Sequence, residues 1–209
     1  MQVAVYKING QTTGRSVELP EAVFGIEPNQ HVVWLAVKAF LANQRQGTHK
    51  SKQRNEIAGS TRKLHKQKGT GGSRKGAITN PLYHGGGRVF GPQLRDYTQK
   101  LNKKVRNLAR KSVLSAKAKE GSVLVVEDFT FAAPKTKEFI SLMANLKVSD
   151  KKALFLVDEY NETVYRSSRN IPNADVTRAT DLNVYNTMNA NVLVFTESAV
   201  ANIEASFAK

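Results

Sequence analysis

Two acidic pairs mark the places where catalysis could be sought: Glu127-Asp128 and Asp158-Glu159 each close a short apolar run. Leu154 to Glu159 imitates the apolar strand ending in Asp-Glu of a nucleotide hydrolase. That chemistry also needs a phosphate loop, G-x-x-x-x-G-K-[ST], whose backbone amides cradle the phosphates. The nearest glycine cluster, Gly69–Gly76, has no Lys-Ser/Thr after a glycine and follows no strand. A dinucleotide fingerprint fails as well, because the third glycine position after Gly69-Thr70-Gly71 is Arg74. The acids are therefore expected to start turns and cap the helices that follow them. The chain has no cysteine, which excludes disulfides and thiolate zinc sites. Its four histidines, His31, His49, His65 and His84, are scattered, with no pair at helical ligand spacing. No catalytic residue, metal or cofactor is expected.

Charge is more informative. The chain carries 32 Lys and Arg against 17 Asp and Glu, a net charge of +15, which calls for a polyanionic partner. Between Arg45 and Lys117 there are 19 basic residues and only two acids, Glu56 and Asp96, while the remainder is close to neutral. The same segment holds 10 of the 14 glycines. From Arg45 to about Arg95 neither a helical nor a strand period persists, and breakers recur: Gly69-Thr70-Gly71-Gly72, Asn80-Pro81, Gly85-Gly86-Gly87 and Gly91-Pro92. A stretch of that length is unusual inside a compact domain. It is expected to be a loop, residues 45–96, that leaves a single α/β domain spanning 1–209 and orders on a partner. Only about 44 residues precede it, too few for a separate domain.

Such a segment suits RNA. Lys and Arg displace condensed counterions from phosphates, glycine lets backbone approach a crowded surface, and arginine adds planar bidentate contacts. Tyr83, Phe90 and Tyr97 are interspersed and could stack on exposed bases. The expected RNA-binding side chains in the segment are Arg45, His49, Lys50, Lys52, Arg54, Arg62, Lys63, Lys66, Arg74, Lys75, His84, Arg88 and Arg95.

The elements that must position this segment follow from periodicity. Val3, Val5 and Tyr6-Lys7-Ile8 suggest a short strand. Asn29 is a candidate cap for a helix whose apolar residues Val33, Val37, Phe40 and Leu41 recur at helical spacing, with Gly47 closing the run. Trp34 reads as core packing rather than a base-stacking platform. A second helix is predicted from about Tyr97 to Glu120, ended by Gly121. Leu101, Val105, Leu108, Ala109, Ser112, Val113 and Ala116 share one face of it, with Leu114 the exception. Lys100, Lys103, Lys104, Arg106, Arg110, Lys111 and Lys117 fill the other, a positive stripe for phosphate contact. Of these, Lys100, Lys103, Lys104, Arg106 and Arg110 are expected to hold RNA. Beyond it, Val123–Val126, Ala153–Val157 and Val192–Phe195 are apolar runs of the kind found in buried parallel strands. Helical stretches near Lys135–Leu146 and Glu162–Arg169 separate them, and Ala174–Thr177 adds a further strand. The pattern is βαβ, an α/β sheet covered by helices.

At particular motifs the chain resembles the universal L-four family of large-subunit ribosomal proteins, bacterial type. These are Arg45-Gln46-Gly47-Thr48-His49-Lys50, Gln67-Lys68-Gly69-Thr70-Gly71, Gly85-Gly86-Gly87-Arg88-Val89-Phe90-Gly91-Pro92 and Lys103-Lys104. Ala133-Pro134-Lys135-Thr136-Lys137, Ser168-Arg169-Asn170 and Leu182-Asn183-Val184-Tyr185 extend the likeness over essentially the whole chain. The resemblance implies a three-layer α/β domain with a mostly parallel sheet, Rossmann-like without its nucleotide. It also implies a long loop that penetrates ribosomal RNA, with a tip, here Lys66, Gln67, Lys68, Gly69, Thr70, Gly71 and Gly72, that helps line the nascent-peptide exit tunnel. The family's tip commonly reads Lys-Pro-Trp-Arg-Gln-Lys-Gly-Thr-Gly-Arg-Ala-Arg. Here Leu64-His65 replace Pro-Trp and Gly72 replaces an arginine at unchanged spacing.

The expected partners are large-subunit ribosomal RNA, neighbouring ribosomal proteins and the nascent peptide at the tip. No apolar run approaches the roughly 20 residues that span a bilayer, and Met1–Gly10 has no signal-peptide core. A cytoplasmic, ribosomal location is expected. The competing readings are a nucleic-acid-modifying enzyme on the α/β body and a free RNA chaperone or translational regulator.

Overall fold

The computed structural model describes residues 1–208. It divides into two compact units: Met1–Leu41 together with the chain from Gln99 onward, and Ala42–Thr98.

The first unit is built on six strands: β1 (Gln2–Tyr6), β2 (Thr12–Glu18), β3 (Val123–Val126), β4 (Ala153–Val157), β5 (Ala174–Arg178) and β6 (Val192–Thr196). Their order in the sheet is β2-β1-β3-β6-β4-β5. All neighbours pair in parallel except the β1–β2 hairpin at one edge. β4 and β6 are buried at every residue, as strands covered on both faces must be. Side chains alternate between the faces: Leu154 and Leu156 of β4 with Leu193 and Phe195 of β6 on one, Ala153, Phe155 and Val157 with Val192 and Val194 on the other.

Seven helices accompany these strands among the described residues: α1 (Glu21–Phe24), α2 (Gln30–Asn43), α3 (Lys103–Lys119), α4 (Thr136–Asn145), α5 (Glu162–Ser168), α6 (Val184–Asn189) and α7 (Glu197–Ala208). Val23 and Phe24 of α1, Leu114 and Ala118 of α3, and Ala199, Val200 and Ile203 of α7 cover the first face. Phe139, Leu142 and Met143 of α4 and Val164 of α5 cover the second, where Phe139 meets Phe155 edge-on at 4.8 Å. The result is the expected three-layer α/β architecture with a mostly parallel sheet.

Several expectations are corrected. The second helix begins at Lys103, not near Tyr97. Asp96 accepts hydrogen bonds from the Thr98 amide (2.8 Å) and hydroxyl (2.6 Å), a local turn that competes with helical pairing. Lys100 therefore lies outside the helix. Leu108, placed on the core face, is 41 % exposed, while Leu114, the exception, is fully buried. α3 is covered on two sides: Leu114 and Ala118 pack on the sheet, and Ala109 and Val113 pack with Ala36 of α2. A single 100° stripe cannot describe a helix held between two neighbours. α2 ends at Asn43 rather than at Gly47. Its cap is as expected, with Asn29 Oδ1 accepting from the Val32 amide at 3.2 Å. Trp34 is not in the core; it is 55 % exposed, because Ala36 and Ala39 are the α2 residues turned fully inward.

The acidic pairs also act differently from expectation. Asp128 does not cap α4, the next helix; its carboxylate accepts from the Ser198 hydroxyl (2.6 Å) and amide (3.3 Å) in the first turn of α7. Glu127 and Glu197 both pair with Arg15 of β2, at 2.7 and 3.5 Å. After β4 the cap of α5 is Asn161, whose Oδ1 accepts from the Thr163 and Val164 amides, and not Asp158 or Glu159.

Candidate nucleic-acid interface

Within Ala42–Thr98 no helix or strand follows the end of α2, in keeping with the broken periodicity. Order comes instead from two limbs that pair at widely spaced points. The Arg95 amide donates to Gly47 O (3.4 Å), Ser51 to Pro92 O (2.9 Å) and Arg88 to Lys52 O (3.0 Å). Further in, Gly87 donates to Thr79 O (3.1 Å) and Leu64 to Gly76 O (3.1 Å). Glycine is required where the limbs touch. A Cβ at Gly87 would stand 2.5 Å from the Arg54 amide nitrogen, and one at Gly47, whose φ is +65°, would stand 2.2 Å from Arg95 O. The Gly85–Pro92 motif thus fixes a close backbone crossing.

Almost nothing apolar is buried here; among hydrophobic side chains only Ala77 is. The basic side chains point outward. Arg45, His49, Lys50, Lys52, Arg54, Arg62, Lys63, Lys66, Arg74, His84, Arg88 and Arg95 are all exposed, and Lys75 is half-buried. Some are already held. Arg45 and Arg95 both lie over the Tyr97 ring, at 3.9 and 4.4 Å from its centroid. A hydrogen bond from Arg95, then the two cationic charges, hold the Tyr97 phenol below its ordinary pKa. Lys50 pairs with Glu56, and Lys63 donates to the Gln67 side chain. The Lys50 hydrogen bond and the Gln53 amide keep the Glu56 carboxyl below the usual carboxylate range.

Of the aromatics expected to stack, Phe90 is fully exposed with φ of 55°. Tyr83 and Tyr97 are half-buried beneath cations, Lys75 over Tyr83 at 6.0 Å. The tip residues Lys66, Gln67, Lys68, Gly69, Thr70, Gly71 and Gly72 are exposed throughout. No atom lies within 4 Å of a Cβ built on Gly72, so a side chain fits there. One feature was not visible in the sequence: an open depression of about 560 Å³ with an apolar lining of Ile57, Leu64 and Ile78 beside Arg62, Lys63 and His84. The lining comes from two stretches, 57–64 and 78–85, neither of which shows a helical or strand period.

In the first unit the basic stripe of α3 is shorter than expected. Lys103, Lys104 and Arg106 are exposed, as is Lys100 ahead of the helix. Arg110 is partly buried, and that burial, reinforced by the charge of Arg106, lowers its pKa. Lys111 lies 5.5 Å from the Phe207 ring centroid, and Lys117 is largely covered beside Glu120. The first turn of α3 has no acid. Three cations therefore crowd the positive end of the helix dipole, an arrangement that an external anion relieves.

Among the described residues no group of three His, Asp or Glu could hold a metal ion, and no helix is long and apolar enough to cross a membrane. The chain thus joins an α/β body, in which Glu127 and Glu197 pair with Arg15 and Asp128 holds the first turn of α7, to an exposed polybasic glycine-rich segment. Comparison with known proteins gives the family. The model of the ribosomal protein L4/L1 family matches residues 17–206. The large ribosomal subunit protein uL4 of Parabacteroides distasonis is 59% identical over 207 residues, 99% of each chain. That of Phocaeicola vulgatus is 59% identical over 98% of each, and that of Flavobacterium psychrophilum 54% identical over the full length of both. The chain belongs to the ribosomal protein L4/L1 family.

Proposed function

We propose that this protein is a structural component of the large ribosomal subunit that binds large-subunit ribosomal RNA. Residues 45–96 serve as the RNA-binding loop of a single α/β domain, and Lys100, Lys103, Lys104, Arg106 and the partly covered Arg110 add phosphate contacts. The observation that carries the reading is the separation of charge from core. The basic side chains of Ala42–Thr98 are exposed around a backbone that buries almost no apolar surface. A unit of that kind gains its stability from a partner, and a polyanion supplies it. The names of the curated relatives point to the same assembly. Neighbouring ribosomal proteins are the further partners, and the location is the ribosome.

The resemblance supports a finer assignment, in which the tip Lys66–Gly72 lines the nascent-peptide exit tunnel and meets the nascent peptide. Its complete exposure and lack of apolar anchors fit a segment facing water. Catalysis is not part of the proposal: Glu127, Asp128 and Glu197 are committed to Arg15 and the α7 cap. Sedimentation of tagged protein through a sucrose gradient tests the central reading. Co-migration with large subunits is expected, and a lone slow peak would overturn it.

A further inference from the structure

Trp34 is the one tryptophan of the chain, and α2 leaves it 55 % exposed. Leaving an indole in water forfeits one of the largest hydrophobic contributions a side chain can make. The outer face of α2 carries His31, Trp34, Lys38 and Leu41, all exposed and spaced three or four residues apart. The His31 ring lies near-parallel to the indole (22°) at a loose 6.0 Å between centroids. The Lys38 ammonium sits 4.9 Å from the indole centroid. Among the described residues Lys38 has no ion pair. Gln30–Asn43 contains no acid; the nearest in sequence, Glu27, precedes the helix.

We propose that Trp34, with His31 and Lys38, is a stacking platform for an unpaired RNA base. The inference rests on the RNA-binding reading and assigns it a second, specific contact on α2, outside residues 45–96. An unpaired nucleotide matches what the face presents. Its base offers a flat π surface to the indole, displacing the loosely stacked imidazole, and its phosphate offers an anion to Lys38. An apolar protein segment laid on the same face would bury the Lys38 ammonium without a partner, which is costly. Fully paired RNA offers phosphates but no free base face, so it would engage Lys38 and leave the ring alone.

Because Trp34 is the only tryptophan, its fluorescence reports this face without labelling. The intact protein is titrated with protein-free large-subunit ribosomal RNA and, in parallel, with a fully paired duplex RNA, while filter retention records binding. Ribosomal RNA is expected to quench the emission as it binds, and the duplex to bind without comparable quenching. Trp34→Ala should weaken binding to ribosomal RNA about 5- to 150-fold, the span of one base–aromatic stack, with an unchanged salt slope. Trp34→Phe should retain most of the affinity, and Lys38→Ala should instead lower the slope by up to about 0.9. Retention without any change in emission would overturn the platform while leaving RNA binding intact. Equal quenching by the duplex would overturn it too, as would emission that shifts only when other ribosomal proteins are added. Absence of retention would sink the RNA-binding reading itself, and the platform with it. The titration needs no variant, so a Trp34→Ala chain that fails to fold does not blunt the test.

Discussion

Gly47→Ala should weaken RNA binding by an amount that the structure sets. Gly47 has φ of +65°, and a Cβ there would lie 2.2 Å from Arg95 O and 3.0 Å from the Tyr97 ring. An L-residue in the left-handed region costs about 1–2 kcal/mol. Relieving the clash with Arg95 also breaks the hydrogen bond from its amide to Gly47 O, worth about 0.5–1.5 kcal/mol. The root of the paired limbs is therefore destabilised by about 2–3 kcal/mol, and Arg45 and Arg95 lose their common seat on Tyr97. If the bound form needs this root, affinity for large-subunit RNA falls about 30- to 150-fold at fixed salt. The matched control is Gly72→Ala. No atom lies within 4 Å of its built Cβ and its φ is outside the left-handed region, so the change should stay within about 0.5 kcal/mol. Anisotropy titrations of both variants, with amide exchange read at Ser51 and Arg95, measure the difference. Equal affinities and equal exchange would show that the limb root is not part of the binding conformation.

Replacing Lys103, Lys104 and Arg106 with Ala should weaken RNA binding and reduce the salt slope by about 0.7–0.9 for each phosphate no longer neutralised; an unchanged slope would return this end of α3 to an ordinary solvated face. Protease is expected to cut free protein within Gln46–Arg95 and to be blocked in the ribosome, because few buried apolar contacts oppose local opening. Strong protection in free protein would count against partner-dependent ordering. On the proposed tip assignment, Lys68→Glu should leave particles assembling but alter sensitivity to tunnel-binding macrolides, since like charge repels it from RNA phosphates. Deleting Thr48–Arg88 should impair assembly, and a point variant as severe as the deletion would make the tip an anchor.

The sheet was legible where burial is two-sided. β3, β4 and β6 are runs of four or five apolar residues, and only a strand covered on both faces needs such a run. α4, α5 and β5 followed from periodicity and from the short spacing between them. The elements that periodicity does not reveal are polar or short. β2 reads Thr-Thr-Gly-Arg-Ser-Val-Glu, because an edge strand exposed along most of its length needs few apolar residues. α6 spans six residues, too few for a helical period, and its start is set by Asn183 accepting from the Asn186 amide at 2.7 Å. α7 begins directly after β6 with no breaker between them, so its onset shows only through Asp128, which caps it from 70 residues away.

The candidate interface divides along the same physical line. Charge and glycine content are local properties, so the position of the basic segment could be read without a structure. Which cations remain free could not, because that depends on partners distant in sequence. Arg45 and Arg95 are 50 positions apart, yet they share one tyrosine ring, and only the pairing of the two limbs brings them to it. Trp34 shows the converse. Its apolar character argued for the core, but a helix of near-continuous apolar sequence gives periodicity little to discriminate. The decision fell to Ala36, which joins Ala109 and Val113 of α3 in one buried cluster. Trp34 stands two positions from Ala36, roughly 200° around the helix, so burying Ala36 turns the largest residue outward. An exposed tryptophan is thus the geometric consequence of which face of α2 the core takes, and that choice leaves the indole open to a partner.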